Sequence, residues 1–221
     1  MSTRVPVVEE ITKANDLVAE INRTRLDENG VLALNVMASP GAGKTSLIER
    51  LVPLLTRRFR VGVVEGDLAT SLDAERATAA GAVSVQITTA SCHLDASMVR
   101  NALERLSLTE LDILIVENVG NLICPASFAL GTHRTVLVAS VPEGDDKPYK
   151  YPRTYRGVDV LVVNKTDLLP YVTFDMDRFR RGVEALNEGV TTFEMSCRTG
   201  EGVGEFAEWM ARQAEERCAA R

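Results

Sequence analysis

The sequence predicts an α/β fold: a mainly parallel central sheet, helices on both of its faces, and a separate helix at the N-terminus. Three observations carry this. Apolar runs of strand length alternate with stretches of helical period along most of the chain. The first run, residues 31–38, is almost continuously apolar, as a strand covered on both faces is. The 221 residues are 45% hydrophobic and 25% charged, enough for one domain with a sizeable core, and no linker, repeat or low-complexity tract divides them. Strands alternating with helices make βαβ units, and right-handed crossovers place the helices on both sides.

In chain order, residues 7–27 form an amphipathic helix with apolar Val8, Ile11, Leu17, Val18 and Ile21, ended by Asn29-Gly30. Residues 1–30 are therefore set apart as a helix packing on the domain or on a partner, and 31–221 as the domain itself. Strand 31–38 leads to helix 45–59, which Pro53 should kink or end early. Strand 61–65 follows, then helix 72–80 stopped by Gly81, strand 83–88, helix 93–106 and strand 113–116. Further strands are expected at 136–141, 158–163 and 192–195, with closing helices at 175–187 and 202–217.

Net charge is −6, so no basic surface dominates and a non-specific grip on nucleic acid is not expected. No apolar run reaches membrane-spanning length and no secretory signal core is visible, so a cytoplasmic, membrane-free protein is expected. Four cysteines in a reducing compartment are not a disulfide framework.

Strand 31–38 runs into Ser39-Pro40-Gly41-Ala42-Gly43-Lys44-Thr45 and then a helix. This is the setting of a P-loop, and the predicted architecture becomes a P-loop NTPase three-layer sandwich. Gly41 and Gly43 let the backbone curl so that N–H groups, including that of Ala42, face phosphate, and the helix N-terminus adds partial positive charge. Lys44 can bridge the β- and γ-phosphates, the Thr45 hydroxyl can bind Mg²⁺, and Ser46 can contact the α-phosphate. Ala38 stands where the pattern usually opens with glycine. Asp67 and Glu117 lie at the carboxyl ends of two strands, where ligands of open parallel sheets sit. Each either holds Mg²⁺, directly or through water, or caps a loop. Gly120 marks the start of a segment placed to sense the γ-phosphate, and Thr70 and Asp73 are further candidates after Asp67.

Asn164-Lys165-Thr166-Asp167 follows an apolar strand. A carboxylate at Asp167 can accept from both N1–H and the exocyclic amine of guanine, whereas adenine offers no such pair. Lys165 can lie over the base, and Asn164 can tie this loop to the P-loop. Backbone N–H groups of Ser196, Cys197 and Arg198 can reach guanine O6, although an ordinary loop is equally compatible with that segment. GTP is thus the expected nucleotide.

Cys92-His93 is expected at a helix start, which favours thiolate, and Cys124 follows the fourth strand closely. Thiolate and imidazole suit Zn²⁺ or Ni²⁺ rather than Mg²⁺. Spacing alone leaves open that both cysteines are core residues. Three ligands leave a fourth position for water or for a second copy, which suits passing a metal on.

Cys-His-Leu-Asp-Ala at 92–96, residues 117–128 from Glu117 through Cys124 to Phe128, Glu-Gly-Asp-Asp-Lys-Pro at 143–148 and Asn-Lys-Thr-Asp-Leu-Leu-Pro at 164–170 together resemble the hydrogenase nickel-incorporation (HypB-type) GTPases. The resemblance runs from about residue 30 to the C-terminus. It implies a homodimer promoted by GTP and metal. Separately, no glutamine or arginine finger is evident near the γ-phosphate, so GTP hydrolysis with low intrinsic turnover, speeded by dimerisation or a partner, is expected. The resemblance also implies a nickel or zinc site at Cys92, His93 and Cys124 near the dimer contact. Implied partners are a hydrogenase large-subunit precursor and companion maturation proteins. It implies that Lys150 reaches the base bound in the partner subunit, and that Leu168, Val172 and Phe174 pack between subunits. The sequence departs from the family at residues 89–91, which lack an expected glycine and lysine, and at Cys197, where alanine is expected. It also lacks the cysteine- or histidine-rich N-terminal tract of many members. The competing readings are a urease-type nickel GTPase, whose metal motif would read Cys-Pro-His, a regulatory GTPase with buried cysteines, and an ATP-using kinase, which Asp167 disfavours.

Overall fold

The computed structural model describes residues 7–67 and 77–219, with side chains of the first helix described from residue 12. Seven strands form one sheet: β1 (Leu32–Ala38), β2 (Val61–Asp67), β3 (Val83–Thr88), β4 (Ile113–Glu117), β5 (Arg134–Ser140), β6 (Val160–Asn164) and β7 (Thr191–Glu194). Their order is β3-β2-β4-β1-β5-β6-β7 and every pairing is parallel. The helices are α1 (Val7–Glu28), α2 (Lys44–Leu55), α3 (Ala96–Leu103), the short α4 (Lys147–Lys150) and α5 (Pro152–Arg156), α6 (Met176–Glu184) and α7 (Val203–Cys218).

Alternation along the strands sorts the core into two layers. Leu34, Val36, Val63 and Ile115 pack against Leu47, Leu51 and Leu55 of α2 and Phe206 and Met210 of α7. Ala33, Val64, Leu114 and Val116 point the other way, onto Leu26 of α1 and Val99 and Leu103 of α3. Beside them, Leu137, Leu161 and Val163 meet Tyr155 of α5 and Phe179 and Val183 of α6. The β1 burial is complete along its length, which explains a sequence that is apolar except for Asn35, whose Oδ1 accepts from Asn118 Nδ2.

The N-terminal helix docks on its own domain through polar anchors. Asn22 Nδ2 donates to Ala96 O (2.8 Å) and Leu130 O (3.0 Å). Asn15 donates to Ala129 O and accepts from Ala96 N–H. Arg23 binds the carbonyls of Gly131 and Thr132. No helix among the described residues is long and apolar enough to cross a membrane.

Several boundaries differ from the sequence expectation, among them helix 175–187, which ends at Glu184, and three that bear on the site. Helix 45–59 ends at Leu55, two residues beyond Pro53, because proline removes a backbone donor and the last turn closes by Thr56 N–H to Val52 O. The second strand runs on to Asp67, which therefore ends the strand rather than following it. Helix 93–106 begins only at Ala96, since Asp95 is the N-cap and its carboxylate accepts from Met98 N–H at 2.8 Å. Cys92 and His93 therefore lie in a bend ahead of the helix, and the helix terminus does not supply the thiolate stabilisation expected for Cys92. Most of helix 72–80, with Thr70 and Asp73, lies outside the described residues.

Candidate functional site

The phosphate side is built at the carboxyl ends of β1, β2 and β4. The loop between β1 and α2 carries two left-handed glycines, Gly41 (φ 76°) and Gly43 (φ 109°). At Gly43 any side chain is also sterically barred, because a Cβ would lie 2.3 Å from Asn164 Nδ2. Thr45 Oγ1 donates to Glu117 Oε1 at 2.8 Å, so the hydroxyl and carboxylate proposed for Mg²⁺ already meet. Both are hard oxygen donors and fit that ion. The Lys44 ammonium lies beside Gly120, 3.5 Å from where a Cβ on that glycine would be. Asp67 ends β2, two residues beyond Glu65, which sits in register with Glu117.

Glu65 is a further carboxylate at this site that no sequence motif marks. It is buried, and parallel register puts its side chain on the same face of the sheet as that of Glu117. The signal was present, a carboxylate inside the apolar run Val61-Gly-Val-Val-Glu.

The base side is a pocket of about 300 Å³ lined by Gly43, Ser46, Asn164, Lys165, Asp167, Leu168, Cys197 and Arg198. Asn164 is its hub. Its Nδ2 donates to Ala42 O (2.9 Å), and its Oδ1 accepts from the N–H groups of Lys165 (2.8 Å) and Cys197 (3.1 Å). Lys165 adopts φ 64°, rare for a residue with a side chain, and its ammonium donates to Gly41 O at 2.6 Å, bringing its stem across the pocket. The Ser196 hydroxyl donates to Asp167 Oδ1 at 2.7 Å and fixes that carboxylate. The N–H groups of Ser196 and Cys197 are used internally, by Glu201 O and Asn164 Oδ1. These two residues thus shape the pocket by orienting Asp167 and walling one side. Burial pushes the Cys197 thiol up to about 11, so it stays neutral. Lys150 is outside the pocket, exposed and ion-paired with Asp146 one helical turn earlier.

The sulfurs of Cys92 and Cys124 and a ring nitrogen of His93 all lie within 4.8 Å of one another. Cys92 Sγ and His93 Nδ1 are 3.7 Å apart. Tetrahedral Zn–S and Zn–N bonds would span about 3.6 Å between such atoms, close to this Cys92–His93 separation. The His93 ring stacks on Phe128 with centroids 4.0 Å apart, which holds the imidazole in place. Burial lowers the His93 pKa, partly opposed by Asp95, and favours the neutral, metal-binding form. The Cys124 thiol is raised, first by its hydrogen bond to Cys92 and then by burial. Two neighbouring sulfurs beside an imidazole are a donor set that a divalent cation such as Zn²⁺ or Ni²⁺ can take.

A larger cavity, about 640 Å³, opens between α1 and residues 125–132 on the sheet face opposite α2. It contains none of the phosphate, base or metal residues.

The model of the family described as "CobW/HypB/UreG, nucleotide-binding domain" matches residues 32–194. The hydrogenase maturation factor HypB of Azotobacter vinelandii is 44% identical over all 221 residues, which span 73% of that protein. The chain belongs to the HypB family. A probable HypB of Methanocaldococcus jannaschii is 39% identical, with 95% of this chain and 96% of that one covered. The fold agrees with a crystal structure of HypB from Helicobacter pylori in complex with nickel, at TM-score 0.87 and 36% identity over 92% of this chain and 96% of that one. Membership establishes a P-loop nucleotide-binding protein, and the HypB resemblance read from residues 92–96, 117–128, 143–148 and 164–170 is the correct one.

Proposed function

We propose that this chain is a GTP-hydrolysing metallochaperone that carries nickel, or zinc, at Cys92, His93 and Cys124 and assists nickel insertion into a hydrogenase. The observation that carries this reading is the closeness of the three ligand atoms, one of them four residues after Gly120. The names of the relatives, and the nickel complex of the Helicobacter pylori protein, support it.

In this reading Gly41, Ala42, Gly43, Lys44 and Ser46 cradle the phosphates and Asp167 selects guanine, with Asn164 and Lys165 joining base loop to P-loop. Thr45 and Glu117, which already meet, would hold Mg²⁺, with Asp67 a further carboxylate at the neighbouring strand end; the ion would neutralise phosphate charge. Lys44 and Gly120 face the γ-phosphate. Residues 117–124 contain neither glutamine nor arginine, so intrinsic turnover is slow and rises when a second subunit completes the site. Exposed apolar side chains at Ile123, Tyr171 and Val172 suit a contact between two copies, across which Lys150 reaches the other base. Nickel is the cargo; its ligands keep an open position for transfer to a hydrogenase precursor or companion factors.

Size-exclusion with light scattering and metal analysis, with GDP or a non-hydrolysable GTP analogue, tests this together with single-turnover hydrolysis at several protein concentrations. The expected results are metal binding lost in Cys92→Ala and Cys124→Ala, and hydrolysis that speeds up with concentration. Cys92 is exposed and Cys124 half-buried, so neither is a core residue, and unchanged metal stoichiometry in both variants would leave a regulatory GTPase without a metal role. Fast turnover in dilute monomer would remove the dimer from the mechanism.

A further inference from the structure

The strand β4 ends with Glu117, whose side chain faces α2 and the P-loop. Alternation sends the next side chain, Asn118, to the opposite face, toward α3 and the loop that carries Cys92 and His93. Asn118 is completely buried. Its backbone N–H continues the sheet by donating to Val36 O, and its Nδ2 donates to Asn35 Oδ1. Its Oδ1 accepts from two N–H groups: that of Val119, one residue before Gly120, and that of Leu94, one residue after His93, at 3.0 Å. The Leu94 side chain is wholly buried and lies over Gly66, where an added Cβ would come within 2.8 Å of its Cγ. Gly66 precedes Asp67, whose carbonyl accepts from Thr89 N–H. Leu94 is thus held by both strand ends that carry the proposed Mg²⁺ carboxylates.

We propose that Asn118 is the positioning residue that couples nucleotide state to the Cys92–His93 arm of the metal site, through its hydrogen bond to the Leu94 N–H. Cys124 is joined to Gly120 by the chain itself. The other two ligands have no such covalent route within this stretch, and the Asn118–Leu94 hydrogen bond supplies a non-covalent link instead. When the γ-phosphate orders Val119 and Gly120, the shared acceptor moves with them, and His93 follows Leu94. Movement of two arms relative to each other changes the ligand polyhedron, which is the differential interaction that coupling requires. The inference rests on the metallochaperone reading above and adds its route.

The test uses the full chain with Zn²⁺ as probe, measuring metal affinity by chelator competition with GDP and with a non-hydrolysable GTP analogue. The wild-type ratio between the two states is expected to be on the order of tenfold. Asn118→Leu, which fills the space without accepting, brings the ratio to about one. Asn118→Asp, which keeps the acceptor, retains it. Asn15→Ala loosens Ala96 from the α1 side, so it weakens both states alike and leaves the ratio standing. Hydrogen exchange at the Leu94 amide of the wild type gives a second reading that needs no variant, and its protection differs between the two nucleotide states. A ratio preserved in Asn118→Leu, a ratio lost equally in Asn15→Ala, or identical Leu94 protection in both states would overturn the assignment to Asn118 while leaving the function intact. A wild type with no ratio at all would overturn the coupling itself, whereas metal binding unchanged in Cys92→Ala and Cys124→Ala would overturn the function beneath it.

Discussion

Replacing Asp167 by asparagine changes the base that the pocket prefers. The Asp167 carboxylate presents two acceptors, steadied by the Ser196 hydroxyl at 2.7 Å. Guanine offers two donors to match, N1–H and the exocyclic amine. Asparagine replaces one acceptor with an N–H₂ group, so one bond is lost and the opposed donors leave a buried group unpaired. Hydrogen bonds to a charged partner contribute about 1.5–3 kcal/mol each, and an unsatisfied buried donor costs about 1–3 kcal/mol. The sum, about 2.5–6 kcal/mol, corresponds to a fall in GDP affinity of roughly 10²–10⁴-fold. Xanthine presents an acceptor where guanine has the amine, and so pairs with the asparagine. The Arg198–Asp167 contact, at 3.6 Å and with Arg198 82% exposed, contributes little to the difference. Competition of GDP and XDP against a fluorescent nucleotide reads both affinities, and a thermal melt confirms folding, since Ser196 can still donate to the asparagine oxygen. A variant that loses less than tenfold in GDP affinity and gains nothing for XDP would refute the role given to Asp167.

Gly43→Ala would force a side chain into φ 109° and against Asn164 Nδ2. The Asn164–Ala42 bond should break, nucleotide binding should fall more than tenfold, and urea melts should show a loss of about 2–4 kcal/mol. His133 supplies a pH dependence. Its Nδ1 accepts from Ala33 N–H, its Nε2 faces Asp27, and burial, assisted by Arg217 and Arg23 and opposed by the Asp27 hydrogen bond, lowers it to about 4. The unfolded chain therefore binds more protons between that value and about 6.5. Stability is complete above pH 6.5 and falls as pH drops toward 4, by at most about 3 kcal/mol at ~1.4 kcal/mol per unit. His133→Asn, followed by urea melts over that range, should show a flatter slope.

Much of this was legible in the sequence for a physical reason: strands buried on both faces have no choice but to be apolar, and phosphate loops need glycine at fixed places. Residues 31–38, Gly41, Gly43 and Asn164 announce themselves in that way. What stayed hidden depends on contacts between distant segments. Asn118 reads as an unremarkable polar residue after Glu117 until Leu94, 24 positions away, is seen to use its oxygen. Asn15 and Asn22 look like solvent-side residues of an amphipathic helix, yet they bind carbonyls more than 70 residues away. Helical periodicity puts the start of α3 too early, because the local pattern gives no reason to prefer Asp95 over Cys92 as the turn into the helix. The cap is decided by the Asp95 bond to Met98.

The most direct measurement is the rate at which bound nickel leaves the wild-type protein to an excess chelator, followed in parallel with GDP and with a non-hydrolysable GTP analogue. With Cys124 four residues beyond Gly120, the two rates should differ by on the order of tenfold. Equal rates and equal affinities in both states would mean that nucleotide chemistry does not govern the metal, contradicting the delivery mechanism.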